Sequence, residues 1–225
     1  MRFQTVFFDR DNTLLYGDPS LRERRNKIIA SWSGQPFSLT GQEMMEIFLQ
    51  GYPERGLKSV EEEIAFYHSY WKRLLLRAGI SDCLEERSEE LHQLTWLKGY
   101  RLFPETLEVL GWFRSHGFRM GVISDTSPSL PLTLEAAGIG EYFDCAICSD
   151  LVGVMKPDPA IYQAALDALG ASAEESLYVD DYDVEADGAR ALGFTAFHID
   201  RSRSGDGRWR INSLSAIVEF LQGGA

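Results

Sequence analysis

The chain has 225 residues, with 22 Lys and Arg against 34 Asp and Glu, a formal net charge of −12. That charge repels polyanions and argues against nucleic acid or an anionic membrane as partner, but not against a small phosphorylated substrate, since a local metal ion and a lysine reverse the field inside a cleft. A composition 44% hydrophobic and 25% charged, with no apolar run near the roughly 18 residues of a membrane span and no basic-then-apolar leader, predicts a soluble, cytoplasmic protein of one large domain or a core plus an insert.

Residues 2 to 9 read as the first strand. Val6, Phe7 and Phe8 are consecutively apolar, as in a parallel strand buried on both faces, and the run stops at two carboxylates, Asp9 and Asp11, spaced i, i+2. Two acids at the carboxyl end of such a strand call for a cation, and ligands of open α/β sheets sit there. The next clear buried strand does not come until Met120-Gly121-Val122-Ile123, too far for a simple crossover.

The interval reads as helices. Thr40 with Glu43 is a capping box, followed by Met44, Ile47 and Phe48 on one face and a stop at Gly51. Ser59 with Glu62 is a second box, after which Val60, Ile64, Tyr67, Trp71, Leu74 and Ala78 recur at helical spacing. A further amphipathic stretch covers roughly 84 to 97. Helices with apolar stripes of their own pack on one another, so residues 16 to 98 are expected to form a helical cap inserted into the core and covering the strand ends. Tyr67, Tyr70 and Trp71 are expected in the core of that insert, and Lys27, Lys58, Lys72 and Lys98 on its solvated faces or beside it.

From Pro104 helices and strands alternate: a helix to Gly117, a strand at 119 to 124, a short helix ending near Gly138, and a strand at Asp144 to Cys148. Asp158-Pro159 caps a helix with Ile161, Ala165 and Leu169 inward and Gly170 after its end. A strand at 177 to 181, a helix at 184 to 192, a strand at 195 to 199 and a helix from about Ser213 complete the chain. The fold class is therefore α/β, a doubly wound parallel sheet built from residues 1 to 15 and 99 to 225. Arg201 to Arg210 reads as a polar, solvated loop. Cys145 and Cys148 form a C-x-x-C that falls in a strand, where a separation of three puts them on opposite faces; they read as small buried residues, not as a redox or metal pair. The four histidines have no ligand spacing and are taken as structural, with His198 hydrogen-bonded in its strand.

Three later segments can join Asp9 and Asp11. Ser124, at a strand end, can donate to a phosphate oxygen, or simply open a turn with Asp125. Lys156 lies in a Pro-flanked loop before a helix cap, which limits its freedom, although the segment alone is also compatible with a surface lysine. Asp180 and Asp181 finish a buried strand with Glu185 one turn on; a helix N-terminus decorated with acids explains Asp183 and Glu185 but not the two at the strand end.

In this order, Asp9-Arg10-Asp11-Asn12-Thr13, Ser124, Lys156-Pro157-Asp158-Pro159 and Asp180-Asp181 resemble the four motifs of the haloacid dehalogenase-like hydrolase superfamily, over about residues 1 to 15 and 99 to 200. The place of the insert is that of the family's helical C1-type cap. The resemblance implies that Asp9 is a nucleophile forming an aspartyl phosphate, that Asp11 is the acid and then the base, and that Thr13 and Ser124 hold the phosphoryl oxygens. It further implies that Mg²⁺ is held by Asp9, the main-chain carbonyl of Asp11, and Asp181, with Asp180 and Glu185 beside it, and that Lys156 supplies a second positive charge. Asn12 for the usual Gly, Arg10 for an apolar residue, Asp125 for Asn and Asp180 for Gly are departures from the pattern. The implied activity is hydrolysis of a small phosphorylated metabolite. A phosphomutase would use the same residues, and a non-catalytic phosphate- or partner-binding module would keep only the fold. Haloacid dehalogenation is disfavoured, because a departing halide needs no acid such as Asp11. No motif names the substrate or an oligomeric state.

Overall fold

The computed structural model describes residues 3–202 and 209–223. Strand β1 (Thr5–Phe8) is followed by a short strand β2 (Leu15–Gly17), four helices α1 (Pro19–Ser33), α2 (Gly41–Leu49), α3 (Val60–Arg77) and α4 (Leu84–Thr95), and strand β3 (Tyr100–Leu102). Alternation then sets in: α5 (Thr106–Ser115), β4 (Arg119–Ser124), α6 (Leu130–Ala136), β5 (Cys145–Cys148), α7 (Ser149–Val152), α8 (Pro159–Leu169) and β6 (Ser176–Asp180). The chain closes with α9 (Asp183–Ala191), β7 (Thr195–Ile199), β8 (Arg210–Ile211) and α10 (Ser215–Leu221).

Six strands form one parallel sheet in the order β5-β4-β1-β6-β7-β8. The chain builds outward from β1 on one side through β4 and β5, then crosses back to build the other side from β6, so the reversal of strand order falls at β1. A ligand crevice is expected at its carboxyl end. The apolar run in β1 follows from its central place. Successive side chains alternate faces: Phe8 packs with Phe113, Val122 and Val179 on one side, and Phe7 with Ile123, Tyr162 and Tyr178 on the other. Cys148 belongs to the first of these clusters and Cys145 to the second, the opposite faces expected from their spacing, and both are free thiols.

Helices α1 to α4 build a separate apolar cluster around Ile29, Ile47, Phe66, Leu74, Leu75 and Leu91. The chain enters and leaves this bundle side by side, because β2 pairs antiparallel with β3. The capping box at Thr40 forms in full. Ser59 caps α3 by accepting from Glu62 N, but the Glu62 carboxylate turns to Lys58 N and Arg55 instead of closing the box.

The inward face of α3 differs from the expected stripe: Glu63, Phe66, Tyr70, Trp71, Leu74 and Leu75 are buried, whereas Val60, Ile64, Tyr67 and Ala78 are only partly covered. The helix packs against α2 and α4 on one side and reaches the sheet domain on another through Glu63, so its covered arc is wider and rotated from a single stripe. Helix α1 was not expected individually, although Asp18-Pro19 repeats the cap-then-proline grammar of Asp158-Pro159. The short elements β2, β3, α7 and β8 carry too few residues for a periodic signal. Of the loop expected at Arg201 to Arg210, residues 203–208 lie outside the described residues. Its first member is not solvated: Arg201 donates to the carbonyls of Asn12 and Thr13, pairs with Glu105 at 2.7 Å and lies over the Phe103 ring. Among the described residues no helix is long and apolar enough to cross a membrane.

Candidate active site

The site forms where β1, β4 and β6 end. Asp9 continues β1, its N–H donating to Val179 O at 2.8 Å, and the chain then turns at Asn12 with φ 55°. Asn tolerates that left-handed conformation better than most residues, and its side chain is put to use: Nδ2 donates to Asp181 Oδ2 at 3.0 Å, tying the first acidic segment to the last. The Arg201 guanidinium holds the same turn from below through its carbonyls.

Lys156 is the hub. Its side chain is 2% exposed, and Nζ lies 2.8 Å from Asp9 Oδ1, 2.8 Å from Asp180 Oδ2 and 2.7 Å from Glu185 Oε2. Asp125, one of the departures from the family pattern, fixes the lysine's loop by accepting from Lys156 N at 3.0 Å. Asp180, another of them, is fully buried and its oxygens are already engaged: Oδ2 accepts from Lys156 and from the Tyr178 hydroxyl, and Oδ1 from Tyr182 N at 2.9 Å. His198, two strands from the site's centre, sets its Nε2 3.1 Å from the carbonyl oxygen of Asp181.

The negative charge exceeds what one ammonium neutralises. Burial pushes the Asp9 carboxyl well above the usual range; Lys156 opposes that shift, and Asp180 and Asp11 add to it. Asp181 is raised by burial, against the hydrogen bond from Asn12. Glu185 is pushed up to about 7, again chiefly by burial, with Lys156 opposing. Burial works against the charge on Lys156, but Tyr178 and the carboxylates of Asp9, Asp180 and Glu185 outweigh it and raise its pKa.

Asp9, Asp180 and Asp181 each offer a carboxylate oxygen within 4.8 Å of the others, a group able to share one ion. Asp9 Oδ2 is buried without a hydrogen-bond partner, as is Thr13 Oγ1. An all-oxygen set of this kind, with three carboxylates against one ammonium and an orphaned carboxylate oxygen, fits a hard divalent cation such as Mg²⁺.

Eight residues were expected at this site, and the structure brings most of them together. Asp9, Asp180, Asp181, Glu185 and Lys156 form one connected cluster. Thr13 is buried in the turn after β1, and Ser124 is buried at the end of β4, beside β1 in the sheet. Asp11 differs: its carboxylate stands outside the three-acid group and is held by Arg10, Nε to Oδ1 at 3.2 Å and Nη2 to Oδ2 at 2.7 Å. Arg10 itself is buried and lies over the Tyr100 ring at 5.0 Å. Tyr178 went unread as a site residue, although period-two alternation puts 178 and 180 on one face. Arg10 and Arg201 had no signal, since both partnerships depend on the turn after β1.

The haloacid dehalogenase-like hydrolase family profile matches residues 3–193. A phosphatase of Mycobacterium tuberculosis is 30% identical over 97% of this chain and 98% of its own length. A phosphoglycolate phosphatase of Rhodospirillum rubrum is 25% identical over 96% of this chain and 86% of its own. Among solved structures, a 2-haloacid dehalogenase from Pseudomonas syringae superposes with a TM-score of 0.70 at 23% identity, covering 99% of this chain and 100% of that one, which is a likeness of fold. The chain belongs to the haloacid dehalogenase-like hydrolase family.

Proposed function

We propose that the protein is a Mg²⁺-dependent phosphatase that hydrolyses a small phosphate monoester through an aspartyl phosphate on Asp9. The observation that carries this reading is the convergence of Asp9, Asp181 and Asp180 on one point, with the Lys156 ammonium bonded to two of them. The 30% identical relative is named a phosphatase, which supports the same reaction class.

Lys156 occupies Asp9 Oδ1, so Oδ2, the oxygen with no partner, is the one free to attack phosphorus. Asp9, the main-chain carbonyl of Asp11, and Asp181 would hold the ion, because the oxygens of Asp180 already accept bonds and serve to brace Lys156. When bound, Mg²⁺ neutralises charge between the attacking carboxylate and the phosphoryl oxygens. The unpartnered Thr13 hydroxyl and the Ser124 hydroxyl orient those oxygens, so positioning and electrostatics carry most of the rate. Asp11, at the half-exposed rim, must leave Arg10 to act; once released it gives a proton to the leaving alkoxide and later takes one from the attacking water, and a carboxylic acid in that place favours ester hydrolysis over halide displacement. Helices α1 to α4 act as a cap that admits small substrates and shields the intermediate from bulk water.

The test is release of inorganic phosphate from a panel of phosphate esters, with Mg²⁺ or EDTA, by the wild type and Asp9→Asn. The expected result is Mg²⁺-dependent release that falls by about a thousandfold or more in the variant, as for loss of other nucleophiles. Equal background in both proteins would favour a binding module, and consumption of ester without free phosphate would favour a mutase.

A further inference from the structure

Between the helical bundle and the strand ends lies a cavity of about 470 Å³, within the size range of small-molecule sites. Its core wall includes Arg10, next to Asp9 in the chain, and Thr126, two residues beyond Ser124, so the cavity borders the segments that carry the proposed reaction centre. Its far wall belongs to the bundle and is lined by the rings of Tyr67, Tyr70, Trp71 and Trp96.

Two donors on this wall lack suitable partners. Arg25 of α1 is only 7% exposed, yet its guanidinium bonds nothing more polar than the Asn26 side-chain oxygen, at 2.9 and 3.1 Å, and the Met44 sulfur at 3.7 Å. Among the described residues it pairs with no acid, unlike Arg10, which is paired with Asp11. Burial lowers the pKa of Arg25; Tyr70 opposes the shift and Arg22 adds to it, a state that an anion would relieve. Trp71 Nε1, on α3, is buried with no hydrogen-bond partner at all. The one carboxylate in the same wall, Glu63, is engaged by Ser129 N and Oγ at 2.7 Å each and is not available to neutralise Arg25. A buried guanidinium with no acid beside it and an orphaned indole N–H, on two residues that line one aromatic cavity, are costly unless a ligand completes them.

Resting on the phosphatase reading, we propose that the substrate is a phosphate monoester with an apolar body and a second anionic group, and that Arg25 and Trp71 Nε1 receive that group in the cavity. The phosphoryl end sits at Asp9, the body packs against the rings, and the distal anion completes the guanidinium. Arg25 and Trp71 are thereby specificity-determining residues, placed on the cap instead of the catalytic core.

The test separates binding from reaction. Affinities of the Mg²⁺-loaded protein for meta-carboxybenzylphosphonate and for its neutral carboxamide are measured by calorimetry. The wild type should prefer the carboxylate by about 10- to 100-fold, the range of a hydrogen bond to a charged group. Arg25→Gln should bring the ratio near unity, Arg25→Lys should keep part of it, and Trp71→Phe should lower it. A ratio within one protein cancels any loss of folded material, so a destabilised variant still reports. Equal affinity in the wild type, no binding of either compound, or a preference that survives Arg25→Gln overturns the subsite. Phosphate release from meta-carboxyphenyl phosphate is read separately: a carboxylate preference without release would overturn the phosphatase reading and leave the subsite standing.

Discussion

Lys156 shows how one side chain serves both stability and chemistry. Its ammonium is buried among Asp9, Asp180 and Glu185, so deleting it leaves carboxylates that desolvation already drives toward protonation. Breaking a buried charge network by removing one partner costs about 3 to 5 kcal/mol. Lys156→Met is therefore expected to lower the urea midpoint of the metal-free protein by a corresponding amount and to abolish phosphate release; an unchanged midpoint would mean that the ammonium does not hold these acids. At this scale the sequence was legible wherever an acid or a lysine interrupted an apolar or proline-flanked pattern, as at Asp9, Lys156 and Asp181. It was silent on Asp11's capture by Arg10, because neighbours in sequence meet through side chains only when the turn between them is known. Asp125 stood in the sequence as a departure from the family pattern and Asp180 as an acid beside the metal; they are the groups that fix Lys156's main chain and its ammonium.

Among the elements, β1 and α3 mark the two ends of legibility. Every residue of β1 is buried, with Phe7 and Phe8 on opposite clusters, so a run of apolar residues gave its place at the centre directly. Helix α3 has several neighbours, and its buried arc is not the one that a single stripe suggests. Leu74 lies on both the expected and the observed face and is fully buried in the bundle's own cluster. Leu74→Ala should cost about 2 to 5 kcal/mol through lost burial and the cavity left behind. Chemical denaturation followed by the bundle's tryptophans checks this, and a cost below 1 kcal/mol (roughly that of a surface change) would mean the bundle is not packed as described.

At the scale of the whole molecule, the bundle is fastened to the sheet by buried polar contacts that no local pattern announces. Asp150 of α7 accepts from the Tyr52 hydroxyl and from Leu57 N at 3.1 Å, while its carbonyl accepts from Lys58, which is exposed as expected but has its ammonium tied to the sheet domain. A Cβ on Gly56 would come within 2.6 Å of Asp150 Oδ1, and its φ of +68° suits glycine, so the junction admits no side chain there. The second fastening is Glu63, whose carboxylate accepts from Ser129 N and Oγ. Burial raises the Glu63 pKa above the ordinary 4.5, against the opposing Ser129 bonds. The folded state thus binds more protons than the unfolded one between pH 4.5 and that raised value, so this group's contribution to stability falls as pH rises through the window and is constant below it. A glutamine can accept from Ser129 N and donate to Ser129 Oγ without burying a charge. Glu63→Gln should therefore melt at or above the wild type, with an offset that grows from acid toward neutral pH; an offset independent of pH would show that Glu63 does not titrate between the two states.

Everything proposed for the site depends on Asp9 Oδ2 being the atom that takes the phosphoryl group. Reduction with borohydride during turnover of a phosphate ester in Mg²⁺ converts an aspartyl phosphate to homoserine, which peptide mass spectrometry locates. The expected outcome is homoserine at position 9, dependent on ester and Mg²⁺ and absent from Asp9→Asn. Phosphate release with position 9 unmodified, or with the modification at Asp11 or Asp181 instead, would contradict the account.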